Sequence, residues 1–202
     1  MMEIYDCEQG TDEWFQVKLG RPSASSFSKI MAKGKGITRK NYLYKLAGEI
    51  LTGKHQESYS NKHMEYGIEM EAKAREEYEF LTGVDVRQVG FIKDGEIGCS
   101  PDGLVCEDGG IEVKSVIPSV HIETVKHDKV PPEHKAQIQG CLMVSGREWW
   151  DFVSFDPRVK NRPFWKIRVH RDEEYIKELA IQVTMFVIEL KKLIETLTVN
   201  KF

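Results

Sequence analysis

The segment "SPDGLVCEDGGIEVKSV", residues 100–116, places Asp102, Glu112 and Lys114 within a short reach of one another. Side chains alternate across a strand, so in "GIEVKS" Ile111 and Val113 face one way and Glu112 and Lys114 the other. The preceding strand enters a turn at Pro101-Asp102-Gly103. If the two strands pair as a hairpin, Asp102 arrives beside Glu112. Two carboxylates sharing a site repel one another unless a cation sits between them. A few hard oxygen ligands suit Mg²⁺ that keeps several of its waters. A lysine on the same face can orient or deprotonate such a water. Together the three residues read as a site for metal-assisted hydrolysis. The plainer reading of the same residues is an Asp-Gly turn and an exposed Glu–Lys pair worth little energy. The flanks favour the site: Ile111, Val113 and Val116 mark a strand with a face to bury, and Glu71 lies on the helix before it.

A chain of 202 residues is long enough for one domain with a sizeable core. No linker, repeat or low-complexity tract divides it, so residues 1–202 read as one domain. Hydrophobic content of 41% and charged content of 30% fit a soluble globular protein. No apolar run is long enough to span a membrane, and "MMEIYDCEQG" lacks the layout of a signal peptide. Both point to a protein of the cytoplasm. Cys7, Cys99, Cys106 and Cys141 show no CxxC or zinc spacing, so they are expected as reduced, buried thiols. The net charge is −3, yet Lys18, Arg21, Lys29, Lys33, Lys35, Arg39, Lys40 and Lys45 follow one another with no Asp or Glu between them. That run is either a basic patch or a solvated loop and helix face.

The elements that must position the site can be read in outline. "GTDEWFQVKLG" is a capped helix with Trp14, Phe15 and Leu19 as its apolar face. "SASSFSKIM" is a short helix, and "RKNYLYKLAGEILTG" an amphipathic one closed by Gly53. Residues 54–61 are a polar loop. "NKHMEYGIEMEAKAREEYEFLTG" is a long helix. "VDVRQVGFIKD", "EIGCSPDGLV" and "GGIEVKSV" read as consecutive strands broken by Asp-Gly and Gly-Gly turns. Pro131-Pro132 opens another helix. "EWWDFVSFD" and "FWKIRVHRD" are two more strands, with Trp149, Trp150 and Trp165 expected in the core. A helix of about 172–198 closes the chain. Ile176, Leu179, Val183, Phe186, Leu190, Leu193 and Leu197 recur at steps of three and four. Val187 and Ile194 widen this stripe, which suits core packing on a sheet. The class is α/β (α+β), a mixed central sheet flanked by helices.

In this order of elements, "PD" at Pro101-Asp102 and "ExK" at Glu112-Val113-Lys114 resemble the PD-(D/E)xK nucleases, with their restriction-endonuclease-like core. Five blocks narrow the likeness: "EQGTDEWFQVKLGRPSAS", "EYGIEMEAKAREEYE", "CSPDGL", "IEVKS" and "KAQIQGCLMVSGREWWDFVSFDPR". In this order they resemble the lambda-exonuclease, or YqaJ-type viral recombinase, family, from about Glu8 to about Arg171.

The resemblance implies a Mg²⁺-dependent 5′-to-3′ exonuclease of phage or prophage type, acting on double-stranded DNA ends. It would release 5′-mononucleotides and leave a 3′ single strand for a single-strand annealing protein. Asp102, Glu112 and the Val113 carbonyl would be metal ligands, with Glu71 serving a second ion and Mn²⁺ as a substitute. Lys114 would activate the attacking water and Gln137 would help hold it. Gln139, about 200° around the helix from Gln137, could not face the metals as well. Lys18, Ser25 and Ser100, in helices 10–53 and before the Pro-Asp, would hold a 5′-phosphate. Some relatives carry an arginine where this chain has Val120, so Arg21 or His121 could complete that pocket. A closed homotrimer, its channel lined by the basic run, is also implied. Two other readings stand beside this one. A RecB-like nuclease of other polarity would in some cases use four cysteines for an iron–sulfur cluster. A non-catalytic DNA-end-binding module would leave duplex DNA intact.

Overall fold

The computed structural model describes residues 1–32, 36–56 and 62–199. Lys33 and Lys35 of the basic run, and most of the loop after residue 56, lie outside the described residues. Strand β1 (Met2–Tyr5) is followed by four helices: α1 (Asp12–Lys18), α2 (Phe27–Met31), α3 (Ile37–Thr52) and α4 (Lys62–Thr82). Five short strands come next: β2 (Val86–Arg87), β3 (Phe91–Asp94), β4 (Ile97–Cys99), β5 (Gly103–Val105) and β6 (Gly109–Ser115). Helices α5 (Pro118–His127) and α6 (Lys135–Ser145) lead to β7 (Trp149–Phe155), β8 (Phe164–His170) and α7 (Glu173–Thr198). Among the described residues no helix is long and apolar enough to cross a membrane.

The strands form two sheets rather than one consecutive set. Five lie in the order β2-β5-β6-β7-β8, and three in the order β1-β3-β4. "VDVRQVGFIKD" therefore splits between sheets, and so does "EIGCSPDGLV", which breaks at Ser100-Pro101-Asp102. Pro101 has no N–H to give to a ladder, so a break there is natural. Among the described strands, β6 and β7 are the one parallel pair. A parallel pair needs a long crossover, and α5 and α6 supply it. Helix α5 was not foreseen. Pro118 opens it as a first-turn proline, but its β-branched residues hide the helical period.

Gly109-Gly110 proves to be strand rather than turn. Both glycines lie in β6 beside Trp149 and Trp150 of β7, and a Cβ at either would run into the tryptophan rings. The reversal falls just before them, where Cys106 takes a positive φ of 49°. Cys106 is also exposed, against the expectation of four buried thiols, while Cys99 and Cys141 are buried and Cys7 is partly so.

Each face of the larger sheet has its own core. On one side Met70, Ala74 and Tyr78 of α4 cover Val105, Ile111, Val113, Trp149 and Val153. On the other, Trp150, Phe152 and Trp165 join Phe27, Leu46, Ile138, Leu142 and the α7 stripe. Ile176, Leu179, Val183, Phe186 and Leu190 are buried as expected, whereas Leu197 is exposed. The stripe packs chiefly on α2, α3 and α6, in one core with Trp150, Phe152 and Trp165 of the sheet. Both faces of β6 are thus covered, which places Glu112 under α6.

Candidate active site

Antiparallel pairing of β5 with β6 sets Gly103 opposite Ile111. Asp102, one residue before β5, consequently meets the next residues of β6. Its Oδ2 accepts a hydrogen bond from the Val113 amide at 2.6 Å. Glu112 is 1% exposed. Its Oε1 accepts from Lys114 Nζ and from Gln137 Nε2, each at 2.6 Å. Among the described residues, its Oε2 is buried without a partner. Gln137 comes from the first turn of α6. Gln139 points elsewhere, accepting from the Asp172 amide at 2.9 Å and donating to the His170 carbonyl at 3.0 Å.

The charges here are held against their preference. Burial pushes the Asp102 carboxyl well above the usual carboxylate range, and the nearby Glu112 and Glu71 push it further. Burial raises Glu112 too, against the pull of Lys114. Burial works against the Lys114 ammonium, but Glu112 and Asp102 outweigh it and its pKa rises. Glu71, on α4, is paired with Arg75 one turn on. Among the described residues no three acidic, histidine or cysteine side chains already converge as a metal cluster. Even so, the donors fit a divalent cation. Two repelling carboxylates and an unpartnered buried oxygen are what a cation would satisfy.

A cleft of about 860 Å³ adjoins this floor, lined by Asp102 and Glu71 and also by Lys18, Arg21 and Ser25. Lys18 Nζ sits 3.6 Å from the centroid of the Trp14 ring. Burial, and then the charge of Lys45, lower its pKa to about 8. The Trp14 indole donates to Ser100 Oγ at 3.1 Å and to the Gly90 carbonyl at 2.9 Å. Ser100 thus lies against the tryptophan that carries Lys18. Ser25 is exposed, with its Oγ 3.4 Å from that of Ser23.

A family model described as YqaJ-like viral recombinase domain matches residues 13–148, a span holding every residue named so far in the carboxylate site and the cleft. The chain belongs to the YqaJ-like viral recombinase family. The alkaline exonuclease of Laribacter hongkongensis is similar at 38% identity and a TM-score of 0.86, over 93% of this chain and 96% of that one. The same exonuclease in complex with dAMP aligns at 39% identity and a TM-score of 0.87, over 93% and 96% of the two chains. A phage-related exonuclease from Haemophilus somnus 129PT aligns over 88% of this chain and 96% of that one, with a TM-score of 0.66. At 18% identity it speaks for the fold alone. The fold is that of the PD-(D/E)xK nucleases. Comparison with curated proteins finds no match.

Other residues of this YqaJ-like domain fall differently from expectation. His121 does not reach the cleft. It is fully buried, with Nδ1 2.8 Å from Ser154 Oγ and Nε2 2.8 Å from the Arg162 carbonyl. Arg21 does line the cleft; it donates to the Val17 carbonyl at 2.9 Å, and among the described residues its Nε is buried without a partner. Arg39 of the basic run pairs with Glu189 of α7 at 2.7 Å. Lys45 lines the cleft instead, together with Glu49 and His55. Those last two drew no notice in the sequence. The available signal was an acidic residue, Glu49, on the apolar face of α3 that carries Tyr42 and Leu46. Gln9 was missed as well: its Nε2 donates to the Pro101 carbonyl at 2.8 Å and pins the Pro-Asp turn.

Proposed function

We propose that this protein is a divalent-metal-dependent nuclease that degrades double-stranded DNA from its ends in the 5′-to-3′ direction, releasing 5′-mononucleotides. The observation that carries the reading is Glu112. It is buried, held by Lys114 and Gln137 on one oxygen, faced by Asp102, and among the described residues without a partner on its other, buried oxygen. Family membership and the likeness to an exonuclease support DNA as the substrate. That relative's complex with dAMP supports a mononucleotide product.

Asp102, Glu112 and the Val113 carbonyl would hold Mg²⁺, with Glu71 available for a second ion once it leaves Arg75. Bound there, the metal would supply Lewis acidity to the phosphate and a water acidic enough to attack it. Lys114 and Gln137 already aim donors at a single oxygen of Glu112, and the same two groups can orient a water beside it. Lys114, whose ammonium Glu112 and Asp102 stabilise, would hold that water by donating to it. Lys18, Arg21, Ser25 and Ser100 would seat the 5′-phosphate of the strand being cut. A homotrimeric ring, closed by a head-to-tail interface, would keep the enzyme on its substrate. The 3′ strand left behind would pass to an annealing protein in recombination.

Linear duplex labelled at either 5′ or 3′ end tests the reading directly. Early release of 5′ label as mononucleotide, in Mg²⁺ and not in EDTA, is the expected result. Release from the 3′ end first would overturn the polarity, and an intact duplex would leave only an end-binding module.

A further inference from the structure

Helix α3 carries Lys45 and Glu49 one turn apart, and Glu49 is 3% exposed. Its Oε2 accepts from the Gly20 amide at 3.1 Å, after α1, and its Oε1 from the Gln56 amide at 3.3 Å, after α3. The same Oε1 stands 3.0 Å from His55 Nδ1 and 3.8 Å from Lys45 Nζ. The His55 ring stacks on Phe15 with centroids 4.5 Å apart. One buried carboxylate therefore ties two loops together at the wall of the cleft that Lys18 also lines and keeps Lys45 and His55 beside it by charge, the His55 Nδ1 having no hydrogen-bond partner among the described residues.

Around Glu49 the cations are in excess, with Lys18, Arg21 and Lys45 lining the cleft beside that one carboxylate; the cleft's other carboxylates are Asp6 and Glu8 and, at the metal-site floor, Glu71 and Asp102. Lys18 and Lys45 both present ammonium groups to the cleft, and Glu49 answers for one of them. Two like charges facing one space repel unless an anion comes between them. Arg21 Nε, unpartnered among the described residues, adds a donor that lacks an acceptor. A phosphodiester carries one negative charge, whereas a phosphate monoester carries close to two at neutral pH. The cation-rich group around Glu49 matches the monoester.

We propose that Lys45 and His55, anchored on Glu49, form a second arm of the terminal-phosphate seat and are what make it select a monoester over an internal diester. This rests on the reading that Lys18, Ser25 and Ser100 receive the 5′ end. Lys45 would meet the phosphate by charge, and His55 by the ring nitrogen that Glu49 leaves free.

Equilibrium binding of a blunt duplex with a 5′-phosphate or a 5′-hydroxyl, in EDTA so that nothing is cut, reads the seat. The quantity is the ratio of the two Kd values. Lys45→Gln should lower the wild-type ratio roughly tenfold, as for the loss of one charge-assisted hydrogen bond. The hydroxyl duplex should bind as before. Lys45→Arg should keep most of the ratio, and His55→Asn should lower it about threefold, as for a weaker neutral donor. Inorganic phosphate at constant ionic strength should compete with the phosphorylated duplex alone. If Lys18→Ala loses the ratio while Lys45→Gln keeps it, the second arm is wrong and the seat stands. Equal weakening of both duplexes by Lys45→Gln, or equal competition by inorganic phosphate, also rejects the arm. A wild-type ratio of one rejects the seat itself, and the arm with it.

Discussion

The Val113 amide donates to Asp102 Oδ2 at 2.6 Å, joining the middle residue of Glu112-Val113-Lys114 to the turn that precedes β5. The bond spends a β6 backbone donor on a side chain just where the β5 ladder ends. It holds one carboxylate toward a second that is already buried. The repulsion between them is thus built in by the strand register, before any cation arrives.

Neutralising Asp102 should therefore stabilise the metal-free protein while abolishing activity. Burial, Glu112 and Glu71 raise its folded-state pKa, so the folded state holds the proton more tightly than the unfolded chain. Its ionisation costs stability as pH rises through that folded pKa, and the full cost is present above it. Asp102→Asn keeps an oxygen for the Val113 amide and removes the charge. At pH 8 in EDTA its melting temperature should exceed the wild type's by a few degrees, about 2–4 °C for each kcal/mol in a chain of this size. Mg²⁺ should raise the wild-type melting temperature and leave the variant's nearly unchanged. A variant that melts lower than wild type in EDTA would show that the pair is not strained.

Lys114→Ala separates a water-handling group from a ligand. Glu112 keeps its bond from Gln137, so the metal-dependent rise in melting temperature should survive. The turnover rate should fall by at least about 10²-fold, the scale of a hydrogen-bond donor lost from the reacting centre. Loss of the thermal response together with the rate would place Lys114 in the metal-holding set instead.

The register that brings Asp102, Glu112 and Lys114 together was legible because it depends on local geometry. A period of two puts Glu112 and Lys114 on one face, and an Asp-Gly turn before β5 fixes where Asp102 returns. Most helices were legible from their caps and apolar stripes for the same reason. What could not be read was set by distant partners. Ser100-Pro101-Asp102 does not announce that β4 and β5 join different sheets. Gly109-Gly110 looks like a turn until Trp149 and Trp150 are laid beside it. His121 looked free to join the cleft, but Ser154 and the Arg162 carbonyl claim both its nitrogens. The Lys45–Glu49–His55 group depends on the Gly20 and Gln56 amides meeting at Glu49 and on Phe15 stacking on His55, and no spacing along the chain encodes that meeting.

Asp151 anchors an ion-pair cluster on β7 that shares no residue with the proposed chemistry. It is fully buried on β7. It accepts from Tyr78 at 2.8 Å, from Arg168 at 2.8 and 3.0 Å, and from Lys166 at 3.3 Å. Burial alone would raise its pKa, but Arg168 and Tyr78 outweigh burial and lower it. Its contribution is therefore present above the unfolded carboxylate pKa and is lost as pH falls through the folded one. Asp151→Ala strips the Tyr78 hydroxyl and two cations of their acceptor at once. Urea unfolding at pH 7 should show a loss of about 1.5–3 kcal/mol, the range for hydrogen bonds to a charged group, because Arg168 and Lys166 stay partly exposed. The difference should shrink on acidification. A loss below about 1 kcal/mol, the level of an exposed pair, would mean that Arg168, stacked 3.4 Å from the Trp149 centroid, is held by the ring instead.

Lys18 gives the domain a pH dependence of its own. Its pKa of about 8 follows from burial against Trp14 and from the nearby Lys45. Below that value the free protein offers a phosphate a charged ammonium; above it the lysine is neutral and must take up a proton on binding. The Kd of a 5′-phosphorylated duplex should be flat from pH 6.5 to about 7.5. Above pH 8 it should rise toward tenfold per unit, as one linked proton requires. Burial lowers the pKa of His55, in the same cleft, below its usual value, so it stays neutral across that window. A duplex ending in 5′-hydroxyl does not need the Lys18 charge, so its Kd should change little. Lys18→Arg keeps its charge throughout and should flatten the curve for the phosphorylated end. Binding followed by fluorescence anisotropy in EDTA, from pH 6.5 to 9.5 at fixed ionic strength, separates the cases. Parallel curves for the two ends, or an unchanged slope in Lys18→Arg, would remove Lys18 from the phosphate seat.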